Sequence, residues 1–196
     1  MLAASYTQMN QTDFYKQLYR RIAQIAVGAS AIRNQGKKGD KGLIKSCRDY
    51  FENEIDLTEF FNSLSSNEAY KTFLTTHTND LANLFPLTAR SWGAARKGLN
   101  LFLRDLTYNK YFADKFDLPT DFDQNNDKLK NLEVPLDKDV AKGLRKHYKR
   151  QLPKWNGIKH LTPDSSDEYQ AKAMELASEK NIARVHLDLE FWRDKK

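Results

Sequence analysis

What this chain lacks narrows it first. It has a single cysteine, Cys47, so no internal disulfide can form, and neither a zinc ribbon nor a cysteine-held iron–sulfur cluster can be built. Its four histidines, His77, His147, His160 and His186, fall at no metal-ligand spacing, so neither metal nor cofactor is expected. No apolar run approaches the length that spans a bilayer, which argues against a membrane partner. The opening MLAASYTQMNQTDFYKQ has neither the basic start nor the apolar stretch of a secretory leader. With the lone thiol, this gives the expectation of a reducing cytoplasm. No alternating strand pattern of convincing length and no internal repeat is present.

What is there is basic and helical. A chain of 196 residues fits one compact domain, or two small lobes sharing a cleft. Hydrophobic residues make up 40% and charged residues 30%, enough for an ordinary core under a solvated surface. The formal charge of +6 raises the odds of a polyanionic partner, because each phosphate neutralised releases condensed counterions. On charge alone a solvated basic surface is the simpler reading. Patterning has to decide.

Helical periodicity dominates the chain. Residues 12–32 carry apolar positions 14, 18, 22, 25 and 26 on one face, with Thr12 as the expected cap. A Gly/Lys loop follows at 33–42; it lacks the spacing of a phosphate-binding P-loop. Helices are expected at 43–53, 57–64 and 67–76, then a short one capped by Asp80 and ending near Pro86. Residues 91–116 read as one long helix entered through a tight turn. The polar stretch 117–131 reads as an insertion or linker. A basic helix runs from Pro135-Leu136-Asp137 to about Arg150, and a last long helix opens at Thr162-Pro163.

Two segments carry chemistry. In Trp92-Gly93-Ala94-Ala95-Arg96-Lys97-Gly98-Leu99-Asn100 a turn feeds a helix and places a lysine near unpaired backbone N–H groups, an arrangement that suits a phosphate. In Val134-Pro135-Leu136-Asp137 a carboxylate stands at the start of another helix. Alone, Lys97 would be a solvated lysine on an amphipathic helix and Asp137 a helix cap. Together and in this order they point to catalysis.

These segments resemble the helix-hairpin-helix (HhH-GPD) DNA glycosylase superfamily, and among its members most of all the archaeal 8-oxoguanine DNA glycosylases. Trp92 to Asn100 looks like the hairpin and its second helix, with Lys97 on the position of the nucleophilic lysine. Pro135-Leu136-Asp137 matches the proline, apolar residue and catalytic aspartate. Ala95 stands where the family has its second hairpin glycine, and Trp92 where it has a proline. The polar stretch 117–131 accounts for the long Lys97–Asp137 separation.

The resemblance implies an all-α, two-lobed fold with the active-site cleft between the lobes. Residues 1–196 would form a single glycosylase domain. One lobe would comprise about 1–44 plus 146–196, so that the N-terminal helix packs with the C-terminal ones. The other would comprise about 45–145, with the hairpin at 84–106. Lys97 and Asp137 would be catalytic. DNA would be held by Arg33, Asn34, Gln35, Gly93, Ala95, Arg96, Lys138 and Lys142, with further phosphate contacts from Arg145, Lys146, Lys149 and Arg150. Asp139, His186, Asp188 and Trp192 would line a pocket for an extruded base, giving the base an aromatic face and a carboxylate. The implied activity is excision of a modified base from double-stranded DNA, with a lysine Schiff base and strand nicking, by a monomer without cofactor. An oxidised purine resembling 8-oxoguanine and a glucosylated cytosine of phage DNA, excised in defence, are both candidate substrates. The rival is a non-catalytic helix-hairpin-helix DNA-binding protein.

Overall fold

Side-chain caps set most of the helix starts. In a computed structural model of the chain, which describes residues 9–28, 31–32, 42–119 and 127–192, ten α-helices and four short 3-10 turns follow one another. No strand occurs among the described residues, so the all-α expectation holds. No described helix is long and apolar enough to cross a membrane.

The first helix, α1 (Gln11–Ile25), starts one residue before the expected cap: Asn10, not Thr12, accepts from the Asp13 amide. Helices α2 (Gly42–Asn53) and α3 (Leu57–Ser63) follow, α3 capped by Asp56. Helix α4 (Asn67–Leu84) runs unbroken through Asp80, where the sequence suggested two shorter helices. His77, Thr78, Leu81 and Ala82 all bury on its inner face, and that packing outweighs the weak helix propensity of the Thr/Asn/Asp stretch. After a turn at Leu87–Ala89, Ser91 caps α5 (Trp92–Thr107).

The expected long helix 91–116 is two. Helix α5 ends at Tyr108, and the Asn109 side chain accepts from the Tyr111 amide to open α6 (Lys110–Lys115). A short α7 (Asp127–Asn131) interrupts the polar stretch. Helix α8 (Lys138–Tyr148) is capped by Asp137, α9 (Pro163–Glu179) by a Thr162/Ser165 capping box, and α10 (Leu187–Phe191) closes the described chain.

Two apolar clusters form the interior. The first gathers α1 to α7 around α5, with Phe51 stacked on Phe102 at 4.5 Å. The second joins Val134, Leu136, Val140 and Leu144 to Tyr169, Ala173, Leu176, Leu187 and Phe191. The chain passes from the first to the second between Leu132 and Val134, and Ala183 and Val185 return to the first.

This differs from the expected partition in three places, the first being Ala183 and Val185, expected with the C-terminal helices but packed in the first cluster. Helix α1 belongs with α2 and α5, because Ile22, Ala23, Ala26 and Val27 face them and the Tyr19 hydroxyl donates to the carbonyls of Phe51 and Ile55. Helix α8, expected beside the hairpin, packs instead with α9 and α10.

Candidate active site at the junction of the two cores

Residues that sequence separates by 40 positions meet at the junction. Lys97 sits in the second turn of α5, and its Nζ lies 3.4 Å from Asp137 Oδ2. The lysine residue is only 8% exposed, while the aspartate is half-buried. Asp137 also performs the structural role its position suggests: Oδ1 accepts from the amides of Asp139 at 2.8 Å and Val140 at 2.9 Å. One carboxylate oxygen thus fixes the side chain to the start of α8, and the other faces the amine.

A polar joint holds the two segments in register. Arg96, the neighbour of Lys97, grips Glu133 with two parallel bonds, Nε to Oε2 at 2.9 Å and Nη2 to Oε1 at 2.8 Å. Arg96 also donates to Thr78, and Asn100 donates to the same carboxylate at 2.9 Å. Burial works against the Glu133 charge, but the Arg96 guanidinium, with Arg184 and Asn100, holds its carboxyl below the usual glutamate range.

The stretch around Glu133 is pinned on both sides of it. Arg184 donates to the carbonyls of Asn131 and Leu132. Gln170 pairs with both the amide and the carbonyl of Val134. Asp137 is therefore delivered by a braced strut and not by a free loop.

A polar side-chain cluster and a cleft flank the Lys97–Asp137 pair. On one side, Arg104, two turns beyond Lys97 on α5, binds Asp105 and Asp188 of α10. Close by, the Tyr108 hydroxyl bonds His186 Nδ1 at 2.8 Å, with the rings stacked. Burial pushes the Asp188 carboxyl above the ordinary aspartate range; Arg104 and Lys97 oppose the shift and Asp137 adds to it, so Asp188 feels both members of the pair. Burial lowers His186, which favours its neutral ring.

On the other side lies a cleft of about 410 Å³ lined by Lys97, Asp137, Lys138, Trp155, Gly157 and Ile158. Its outer wall is the 153–161 segment. Arg145 donates to the carbonyls of Leu152 and Pro153, and the Tyr169 hydroxyl donates to the Pro153 carbonyl, which ties that wall to the second core.

The chain matches no protein-family model, no curated protein and no solved structure. Geometry alone carries the functional argument.

The other expected site residues fall into four groups. Asp188 and His186 lie in the polar cluster with Arg104 and Tyr108, whereas Trp192, one turn on from Asp188, is 60% exposed. Lys138, Asp139 and Lys142 stand exposed on the first turns of α8, and Lys146, Lys149 and Arg150 are exposed further along. Arg33, Asn34 and Gln35 lie outside the described residues.

Several residues expected at DNA serve packing instead. Arg96 is buried in its ion pair with Glu133 and cannot reach a phosphate. Ala95 is fully buried. Gly93 is buried under the 158–161 segment, where an added Cβ would stand 2.2 Å from the Ile158 carbonyl oxygen. Its smallness admits that backbone and not a phosphate. Arg145 is engaged by the 152–153 carbonyls.

Sequence reasoning missed Arg104, Tyr108, Glu133 and Trp155. Arg104 and Tyr108 carried a usable signal, since positions seven and eleven after Lys97 share its helix face. Glu133 and Trp155 carried none, because their partners are distant in sequence.

Proposed function

We propose that this protein is a DNA N-glycosylase with lyase activity, built on a two-lobed helix-hairpin-helix fold whose lobes correspond to the two apolar clusters. The observation that carries this reading is the approach of Lys97 Nζ to Asp137 Oδ2 at 3.4 Å, beside a cleft of about 410 Å³. Helix α4, the connection 85–91 and α5 supply the hairpin.

The pair suits glycosidic cleavage. As the bond from C1′ to the base nitrogen breaks, its electron pair leaves with the base and positive charge grows on the sugar. The Asp137 carboxylate stabilises that charge from a position fixed by two backbone amides. Lys97 Nζ then adds to C1′, giving up a proton that Asp137 Oδ2 is near enough to accept. Ring opening gives a Schiff base. Loss of a C2′ proton then expels the 3′ phosphate and nicks the strand.

The edge of an extruded base would be met by the polar cluster of Arg104, Asp188, Tyr108 and His186, which holds both donors and acceptors. Such a lining favours a base with polar substituents, as in an oxidised purine or a sugar-bearing cytosine. Duplex DNA would be held by Lys138 at the cleft and by the exposed lysines of α8 and the 153–161 segment, Lys142, Lys146, Lys154 and Lys159. A monomer acting in the cytoplasm, in repair or against phage DNA, fits this reading.

Borohydride trapping on duplex DNA carrying an abasic site tests it. A covalent adduct in the wild type that vanishes in Lys97→Ala supports the lysine nucleophile. Duplex binding with no adduct would return the protein to the non-catalytic alternative. Mass spectrometry of bases released from DNAs of different modification would then name the substrate.

A further inference from the structure

The cleft beside Lys97 and Asp137 has a wall that the glycosylase reading leaves without a role. Trp155 is half-buried and lines that cleft with Gly157 and Ile158, opposite the reacting pair. Its ring is held edge-on by Tyr169, with centroids 5.6 Å apart and planes at 82°. Tyr169 is itself fully buried and bonded to the Pro153 carbonyl at 2.8 Å. On the far side of the loop, Ile158 presses against α5 at Gly93, one turn before Lys97. Gly157 takes a positive φ of 94°, a conformation that leaves the turn after Trp155 open to few other residues. The ring is thus held by Tyr169, and the loop that carries it is held against α5.

The polar cluster and the cleft offer a nucleotide two different surroundings. The cleft is lined by Lys97 and Asp137, where C1′ must lie for either residue to act, and Asp188 of the cluster feels the charge of both. The Arg104–Asp188 and Tyr108–His186 side is polar and suits the edge of a base. The Trp155–Gly157–Ile158 side offers an aromatic ring and apolar edges, with Lys138 at its rim. A deoxyribose presents C–H groups and a phosphate. It matches the second side and not the first.

Resting on the glycosylase reading, we propose that Trp155 is a substrate-contacting residue that stacks on the deoxyribose of the extruded nucleotide and sets its C1′ against Lys97 and Asp137. Lys138 takes the adjoining phosphate. Trp155 acts on the sugar, so its contribution persists after the base has gone.

An abasic site keeps the sugar and lacks the base, and this separates the possibilities. Base release and borohydride trapping on pre-formed abasic DNA are measured for the wild type, Trp155→Ala, Trp155→Leu and Trp155→Phe, each with its thermal melting point. Loss of one stacking ring corresponds to roughly a tenfold effect. Trp155→Ala and Trp155→Leu are expected to lower release and trapping by about that factor alike, and Trp155→Phe to restore both. Leu keeps the apolar bulk against Tyr169, so its loss of activity would not reflect misfolding. Release that falls while abasic trapping holds would overturn the proposal by placing the ring on the base. Losses in every variant that follow the melting points would overturn it by making Trp155 structural. A wild type that neither releases nor traps would instead remove the enzymatic reading itself.

Discussion

Arg96 and Glu133 meet as a two-pronged ion pair in the interior, at the point where the helix of Lys97 and the strut of Asp137 cross. The pair is a positioning device. Its arginine is the residue before Lys97, and its glutamate stands four before Asp137, so a shift at this joint moves the Lys97–Asp137 distance directly.

Removing one partner of a buried pair leaves the other charge uncompensated, at a cost of about 3–5 kcal/mol. Glu133→Gln is therefore expected to lower stability by that order at neutral pH. The Glu133 carboxyl is held below its ordinary value in the folded state, so the pair's stabilisation is present above the ordinary glutamate range. It is lost as pH falls through the lowered folded value. Denaturant titrations from pH 7 to pH 3 should thus show wild type and variant converging in acid. A gap that stays constant would contradict the assignment.

Two histidines set a second pH dependence. His77, bonded through Nδ1 to the Tyr50 hydroxyl, and His186 are both lowered by burial. Below the ordinary histidine range the unfolded chain takes up protons that the folded one resists, so stability falls as pH drops from about 6.5. A His77→Gln variant should show a shallower decline between pH 7 and pH 5 in thermal melts. An unchanged slope would mean that His77 protonates freely in the fold.

Gly93 tests the packing of the cleft wall. An alanine there would drive its Cβ to 2.2 Å from the Ile158 carbonyl oxygen and 2.6 Å from Leu161 Cβ. Backbone cannot yield cheaply, and overpacking of this kind costs about 1–3 kcal/mol. Gly93→Ala is expected to lower the melting temperature and to impair abasic-site trapping together, because the wall carries Trp155. Normal stability with lost DNA affinity would favour a phosphate at Gly93 instead.

Local signals in the sequence were mostly legible. The helical class and the caps at Asp137 and Thr162 follow from short-range chemistry, while the pairing of Lys97 with Asp137, 40 residues apart, is expected from the resemblance of the two segments. What stayed hidden was decided by tertiary contact. Helix α4 is unbroken because His77 and Thr78 bury, which no propensity of that stretch foretells. Arg96 reads as a DNA contact until Glu133, 37 residues away, closes on it. The side to which α1 packs depends on Tyr19 reaching the end of α2. Charge pattern marks a residue as polar; only the fold says which partner it finds.

The pairing of Lys97 with Asp137 is tested most directly by single-turnover base release with Asp137→Asn. Asparagine caps helices about as well as aspartate, so α8 keeps its start and the fold is expected to stand. Loss of the carboxylate charge is expected to slow release by roughly a hundredfold or more, with the melting temperature nearly unchanged. Release at the wild-type rate in the folded variant would show that Asp137 is a helix cap and nothing more, and would contradict the account.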